Sequence, residues 1–166
     1  RDARCLRFGD MNTQASSVAV DADGNVVLAG YFQGSADLGG GPLTSTGQRS
    51  ILVAKLDAAG GHLWSKGFGD TSDQTATGVA VDADGNGVVT GFFSGAVDFG
   101  GGALTGGSLD LFVAKLGAAG NHLWSKGFGN SSFNSRAAVD SDGNVVVTGY
   151  FLGNLDFGGG ALASAG

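Results

Sequence analysis

Residues Leu52–Gly69 read LVAKLDAAGGHLWSKGFG, and Phe112–Gly129 read FVAKLGAAGNHLWSKGFG, changed only at the first, sixth and tenth positions. Two further blocks keep the same spacing of about 60 residues. VAVDADGN stands at Val18–Asn25 and Val79–Asn86 and returns as AVDSDGN at Ala138–Asn144, while Asp-Leu/Phe-Gly-Gly-Gly starts at Asp37, Asp98 and Asp156. Self-similarity at such a period defines a solenoid, propeller or array, in which each repeat buries its apolar face on its neighbours.

Within a copy no helical period appears, and four short strand-like runs alternate with turn chemistry. In the second copy Gly78–Val81 alternates faces and ends at Asp82-Ala83-Asp84-Gly85-Asn86, where Asp caps a tight turn and Gly supplies positive φ. The next run, Val88–Phe93, is almost continuously apolar, as are Val26–Phe32 and Val145–Phe151, which predicts burial on both faces. Leu111–Leu116 leads through Gly117-Ala118-Ala119-Gly120 into His122–Phe128, whose alternation predicts a half-exposed strand. Four strands with two doubly buried in the middle describe the blade of a β-propeller. A parallel β-solenoid fits less well, because its coils are usually shorter and lack Asp-Gly-Asn hairpin turns.

The expected fold is therefore all-β, built of four-stranded antiparallel propeller blades in one repeat domain, residues 1–166. The copies fall at about 5–64, 65–124 and 125–166, the third stopping before its Val-Ala-Lys-Leu and Trp strands. Rings close with about four to eight blades, so a ring of fewer than three repeats is incomplete. Uncovered faces and edges invite association with further repeats or with partner chains that complete the fold.

Gly is 33 of 166 residues and Pro is 1, yet the glycines fall at fixed offsets between Val-, Leu- and Phe-rich runs, unlike a disordered chain. A net charge of −6 with scattered Lys and Arg speaks against a nucleic-acid groove. No stretch has the roughly 20 apolar residues of a membrane span, and no signal peptide stands at the start. Cys5, alone of its kind, replaces Ser65 and Ser125 of the other copies and reads as a neutral exchange.

Asp82, Asp84 and Asn86 occupy the first, third and fifth positions of a calcium loop, followed by Gly87. The twelfth position, which calls for a bidentate Glu, is Phe93, and the other copies put Val26 and Val145 in place of Gly87. A hairpin turn is the expectation, with calcium on Asp82, Asp84 and Asn86 as its alternative and no other cofactor. His62 and His122 are repeat equivalents on separate blades, and Trp64 and Trp124 are packing anchors. Neither Asp-Phe-Gly nor the triple glycines have the surroundings of a kinase or a phosphate loop.

Active sites bring different residues to one point, whereas nearly every polar residue here recurs one repeat away. The exceptions contain no nucleophile–base pair, so no catalytic residue is assigned and the chain is not expected to be an enzyme. By strand order, turns after the first and third strands share one side, and the other side carries the long segments Gln33–Ser50 and Ser94–Asp110 and the variable stretches. Function on a repeated scaffold concentrates where copies vary. Asn12, Gln14, Arg49, Asp73, Phe133 and Arg136 are the candidate binding residues.

These repeats resemble the bacterial β-propeller repeat family of large secreted or surface proteins. The matching residues include Val81, Asp82, Gly85, Asn86, Val89, Thr90, Gly91, Asp110, Phe112, Val113, Ala114, Lys115, Leu116 and Trp124. The resemblance implies the propeller fold and an extracellular or cell-surface setting, with no shared catalytic site. The function expected is that of a non-enzymatic extracytoplasmic interaction or structural module, part of a larger protein or assembly, with protein or glycan as partner. Its alternatives are a calcium-dependent carbohydrate-binding module and a fragment of a propeller enzyme whose site lies in other repeats.

Overall fold

The computed structural model describes residues 12–129 and 132–164, the side chains of residues 132–134 excepted. All its regular elements are strands. Thr13–Val20 (β1), Val26–Phe32 (β2), Ser50–Leu56 (β5) and His62–Phe68 (β6) form one antiparallel sheet in that order, with the small hairpin Ser35–Asp37 (β3) and Pro42–Thr44 (β4) between β2 and β5. Gln74–Val81 (β7), Gly87–Asp98 (β8), Ala103–Leu116 (β9) and His122–Phe128 (β10) repeat the sheet. Ser132–Val139 (β11) pairs Val145–Phe151 (β12), and Asn154–Asp156 (β13) pairs Ala161–Ala163 (β14). These are propeller blades in strand order and packing, and among the described residues no sheet closes into a barrel. The sheets begin at β1, β7 and β11, so the copy borders read from sequence near 64 and 124 fall inside β6 and β10.

Alternation along the inner strands decides what each face touches. Val27, Ala29, Ile51 and Val53 of the first blade join Ala76, Val89, Phe93, Phe112, Ala114 and Leu116 of the second in one core, each at most 1% exposed. Leu28, Phe32, Leu52, Ala54 and Leu56 point to the opposite face and pack with Ala36, Leu38 and Leu43 of the β3–β4 hairpin. Burial of both faces of β2 and β8 follows the sequence expectation. Strand β12, with the same apolar pattern, departs from it: Val146 is 56% exposed, and the strand is intermediate or exposed throughout. The cause is the number of neighbours, since β2 and β8 each pair on two edges and β12, among the described residues, pairs only β11.

The long connections after the second strands are hairpins that double back over their own blades. Past a register shift between Phe93 and Gly95, β8 and β9 stay paired to Asp98 and Ala103. Phe99 then lies 5.0 Å from both Phe112 of its own blade and Phe68 of the preceding one, and Phe157 repeats this against Phe128 at 4.9 Å. The hairpin tips return to the fourth strand: a Cβ on Gly101 would stand 2.0 Å from the His122 imidazole, so the ring lies directly over the glycine and a larger residue would have to move it. Asp98 caps the tip by accepting the N–H groups of Gly100 and Gly102. Much of what sequence reading placed on the loop side is thus packing surface between blades.

Candidate functional site

On the turn side, each Asp-x-Asp-Gly-Asn loop is a closed hydrogen-bond unit. Asp82 Oδ1 accepts from the N–H groups of Asp84 and Asn86, and Oδ2 from Asn86 Nδ2 at 2.9 Å and Lys115 Nζ at 2.7 Å. Asp21 repeats the set with Asp23, Asn25 and Lys55, and Asp140 with Asp142 and Asn144. Burial by itself would raise the carboxyl pKa of Asp21 and Asp82, yet the lysine and the asparagine donors outweigh it and lower both to about 2. Asn86 Oδ1 also accepts Ala118 N–H at 3.1 Å. Of the three calcium candidates, Asp82 and Asn86 are therefore engaged and Asp84 is exposed. A cation would have to displace Lys115, and no group of three or more His, Cys, Asp or Glu able to hold a metal occurs among the described residues.

The opposite side gathers the repeat-breaking residues of the first blade. The Arg49 guanidinium lies 5.1 Å above the centre of the Tyr31 ring and donates to Asp73 Oδ2 at 2.8 Å. Tyr31 Oη donates to Gln14 Oε1 at 2.8 Å, and the Gln33 N–H donates to the Asn12 carbonyl at 3.0 Å. Asn12, Tyr31, Gln33, Gln48 and Arg49 line an open recess of about 240 Å³. A backbone bridge between Arg49 and Asp73 joins the two blades behind it, and Gln74 N–H donates to the Arg49 carbonyl. The half-buried Asp70 carboxylate accepts from Ser72 N–H, Ala96 N–H and Gln74 Nε2; these bonds hold its pKa down against the desolvation that would raise it.

Four of the six sequence-assigned binding residues, Asn12, Gln14, Arg49 and Asp73, thus converge around Tyr31. Arg136 does not join them: it donates to the Thr77 carbonyl beside the Thr77–Ser135 hydrogen bonds, fastening β11 to β7. The Phe133 side chain and Cys5 lie outside the described residues. Tyr31 was missed because its equivalents Phe92 and Tyr150 make it resemble a scaffold aromatic, and Gln48 because it lies within a long connection. His62 and His122 each pair with a serine three residues on, Ser65 and Ser125, in separate blades.

No protein-family model matches the chain. Across 89% of its length it is 28% identical to an uncharacterised WD repeat-containing protein of Acanthamoeba polyphaga mimivirus, and it spans 13% of that protein's length. The comparison supports a repeat of the propeller kind and does not point specifically to the bacterial repeat family.

Proposed function

We propose that the chain is a non-enzymatic protein-interaction module of propeller type that belongs to a larger assembly and works outside the cytoplasm, and that the Arg49 recess is its contact surface. The observation that supports this is the convergence of Asn12 and Arg49, which line the recess, with Gln14 and Asp73, which hydrogen-bond to its Tyr31 and Arg49. In the second blade the positions of Arg49, Gln14 and Gln48 hold Leu109, Thr75 and Ser108, which cannot offer the same donors. Arg49, about 40% exposed on its side chain, presents its remaining donors beside a phenolic ring. Such a pairing suits a carboxylate or backbone carbonyl of a polypeptide partner. Pull-down from the native setting with the unaltered chain and with Arg49→Ala, followed by titration of the captured partner, tests it. The partner should be lost with Arg49→Ala and kept with Asp142→Ala at an exposed turn of another blade; equal capture by both variants would refute the recess as the contact.

A further inference from the structure

Asp73 holds Arg49 by one oxygen. Its Oδ2 accepts from Arg49 Nη2 at 2.8 Å while its Oδ1 is buried without a partner, so most of the guanidinium donors stay uncommitted among the described residues. The Tyr31 ring beneath the guanidinium and the Gln74 N–H on the Arg49 carbonyl fix the residue in place before any partner arrives. Around it, carbonyl acceptors are engaged and N–H donors are not. Gln14 Oε1 takes the Tyr31 proton, the Asn12 carbonyl takes the Gln33 N–H, and the Arg49 carbonyl takes the Gln74 N–H. What remains are Gln14 Nε2 and the side-chain amides of Asn12, Gln33 and Gln48, each able to turn an N–H to a ligand. The volume of about 240 Å³ is below the roughly 300–1,000 Å³ of small-molecule sites, so the recess suits one side chain.

We propose that the recess recognises a single aspartate or glutamate side chain of its partner, whose carboxylate lies against the donors of Arg49 that Asp73 leaves free. This rests on the recess being the contact surface and adds the charge that the surface selects. An ionised carboxylate brings acceptors only, which matches the uncommitted donors. A chain-terminal carboxylate would bring its own N–H, and a sugar its hydroxyl protons, for which the engaged carbonyls are poor acceptors. A cationic side chain would meet Arg49 itself. Asp73 competes for the same guanidinium, so Asp73→Asn, which keeps an oxygen for Arg49 and removes the charge, should tighten binding.

The probe is the capped peptide acetyl-Ala-Glu-Ala-amide, titrated into the full chain while nitrogen–proton spectra follow the Arg49 side-chain N–H and the Gln14 amide. Saturable shifts at both are expected, weakening as salt rises and absent with acetyl-Ala-Gln-Ala-amide. Comparing the two peptides on the unaltered chain does not depend on any variant folding. Asp73→Asn should tighten the glutamate peptide about threefold or more, the scale of one partly exposed charge pair, and Arg49→Ala should abolish the Gln14 shift. Equal shifts from the glutamine peptide, shifts only from free-acid acetyl-Ala-Ala-Ala or from methyl glucoside, or unchanged affinity with Asp73→Asn would each overturn the proposal. If the glutamate peptide shifts nothing while Arg49→Ala still loses the captured partner, the recess remains the contact and the carboxylate assignment alone falls.

Discussion

Lys55 and Asp21 form the most buried ion pair among the described residues, 2.9 Å apart with side chains 5% and 4% exposed. The same ammonium donates to the Gly85 carbonyl at 3.1 Å, so a lysine on β5 joins its own blade's first turn to the first turn of the next blade. The Lys115–Asp82 pair repeats the intrablade half of this link, with the lysine 16% exposed. Removing one partner of a buried pair leaves the other charge uncompensated. Lys55→Met should therefore destabilise the chain by about 3 kcal/mol in urea unfolding at neutral pH, and Lys115→Met by clearly less. Equal losses would show that the link to Gly85 contributes nothing.

Acid should act through the same carboxylates. Asp21 and Asp82 titrate near 2 in the folded chain against an ordinary value of 3.8. A depressed folded pKa stabilises the fold above the unfolded pKa and loses that contribution as pH falls through the folded one. Thermal unfolding should be insensitive to these groups above pH 5 and drop between about pH 4 and 2. Asp21→Asn combined with Asp82→Asn should flatten that drop; an unchanged profile would place the acid sensitivity elsewhere, with Asp70 the next group to examine.

Calcium should produce no saturable heat on titration, because Lys115 already neutralises Asp82 in the candidate loop. If it does bind, Asp84→Ala should abolish the signal, and Lys115→Met should strengthen it by freeing Asp82 Oδ2. Binding tighter than roughly 10⁻⁴ M would exceed what extracellular modules typically reach and would establish a built site.

Two glycines should respond oppositely to alanine. A Cβ on Gly91 would stand 2.1 Å from the Thr75 carbonyl and 2.7 Å from the Phe112 ring, whereas a Cβ on Gly107 meets nothing within 4 Å. Gly91→Ala should cost about 3 kcal/mol, the upper end of what overpacking typically costs, and Gly107→Ala should stay within about 0.5 kcal/mol of the parent. Chemical denaturation of both variants checks the pair.

Repetition made the local structure legible. The Asp-x-Asp-Gly-Asn run specifies a capped turn wherever it occurs, and Asp21, Asp82 and Asp140 make the same three internal hydrogen bonds in three places because each bond closes within four residues. Alternation and strand order were legible for the same reason. The candidate site was partly legible, because Asn12, Gln14, Arg49 and Asp73 break the repeat, but Tyr31 at its centre is an aromatic in all three copies.

What the tertiary structure decided is what surrounds each copy. Val18 and Val79 stand in the same VAVDADGN octapeptide, yet the first is 63% exposed and the second 7%, because β7 lies packed against β1 and β11. Val146 and Val88, equivalent again, are 56% and 0% exposed. Local sequence determines dihedrals, turns and the face each side chain takes. Burial depends on which sheet is packed against that face, and identical sequences carry no record of their neighbours.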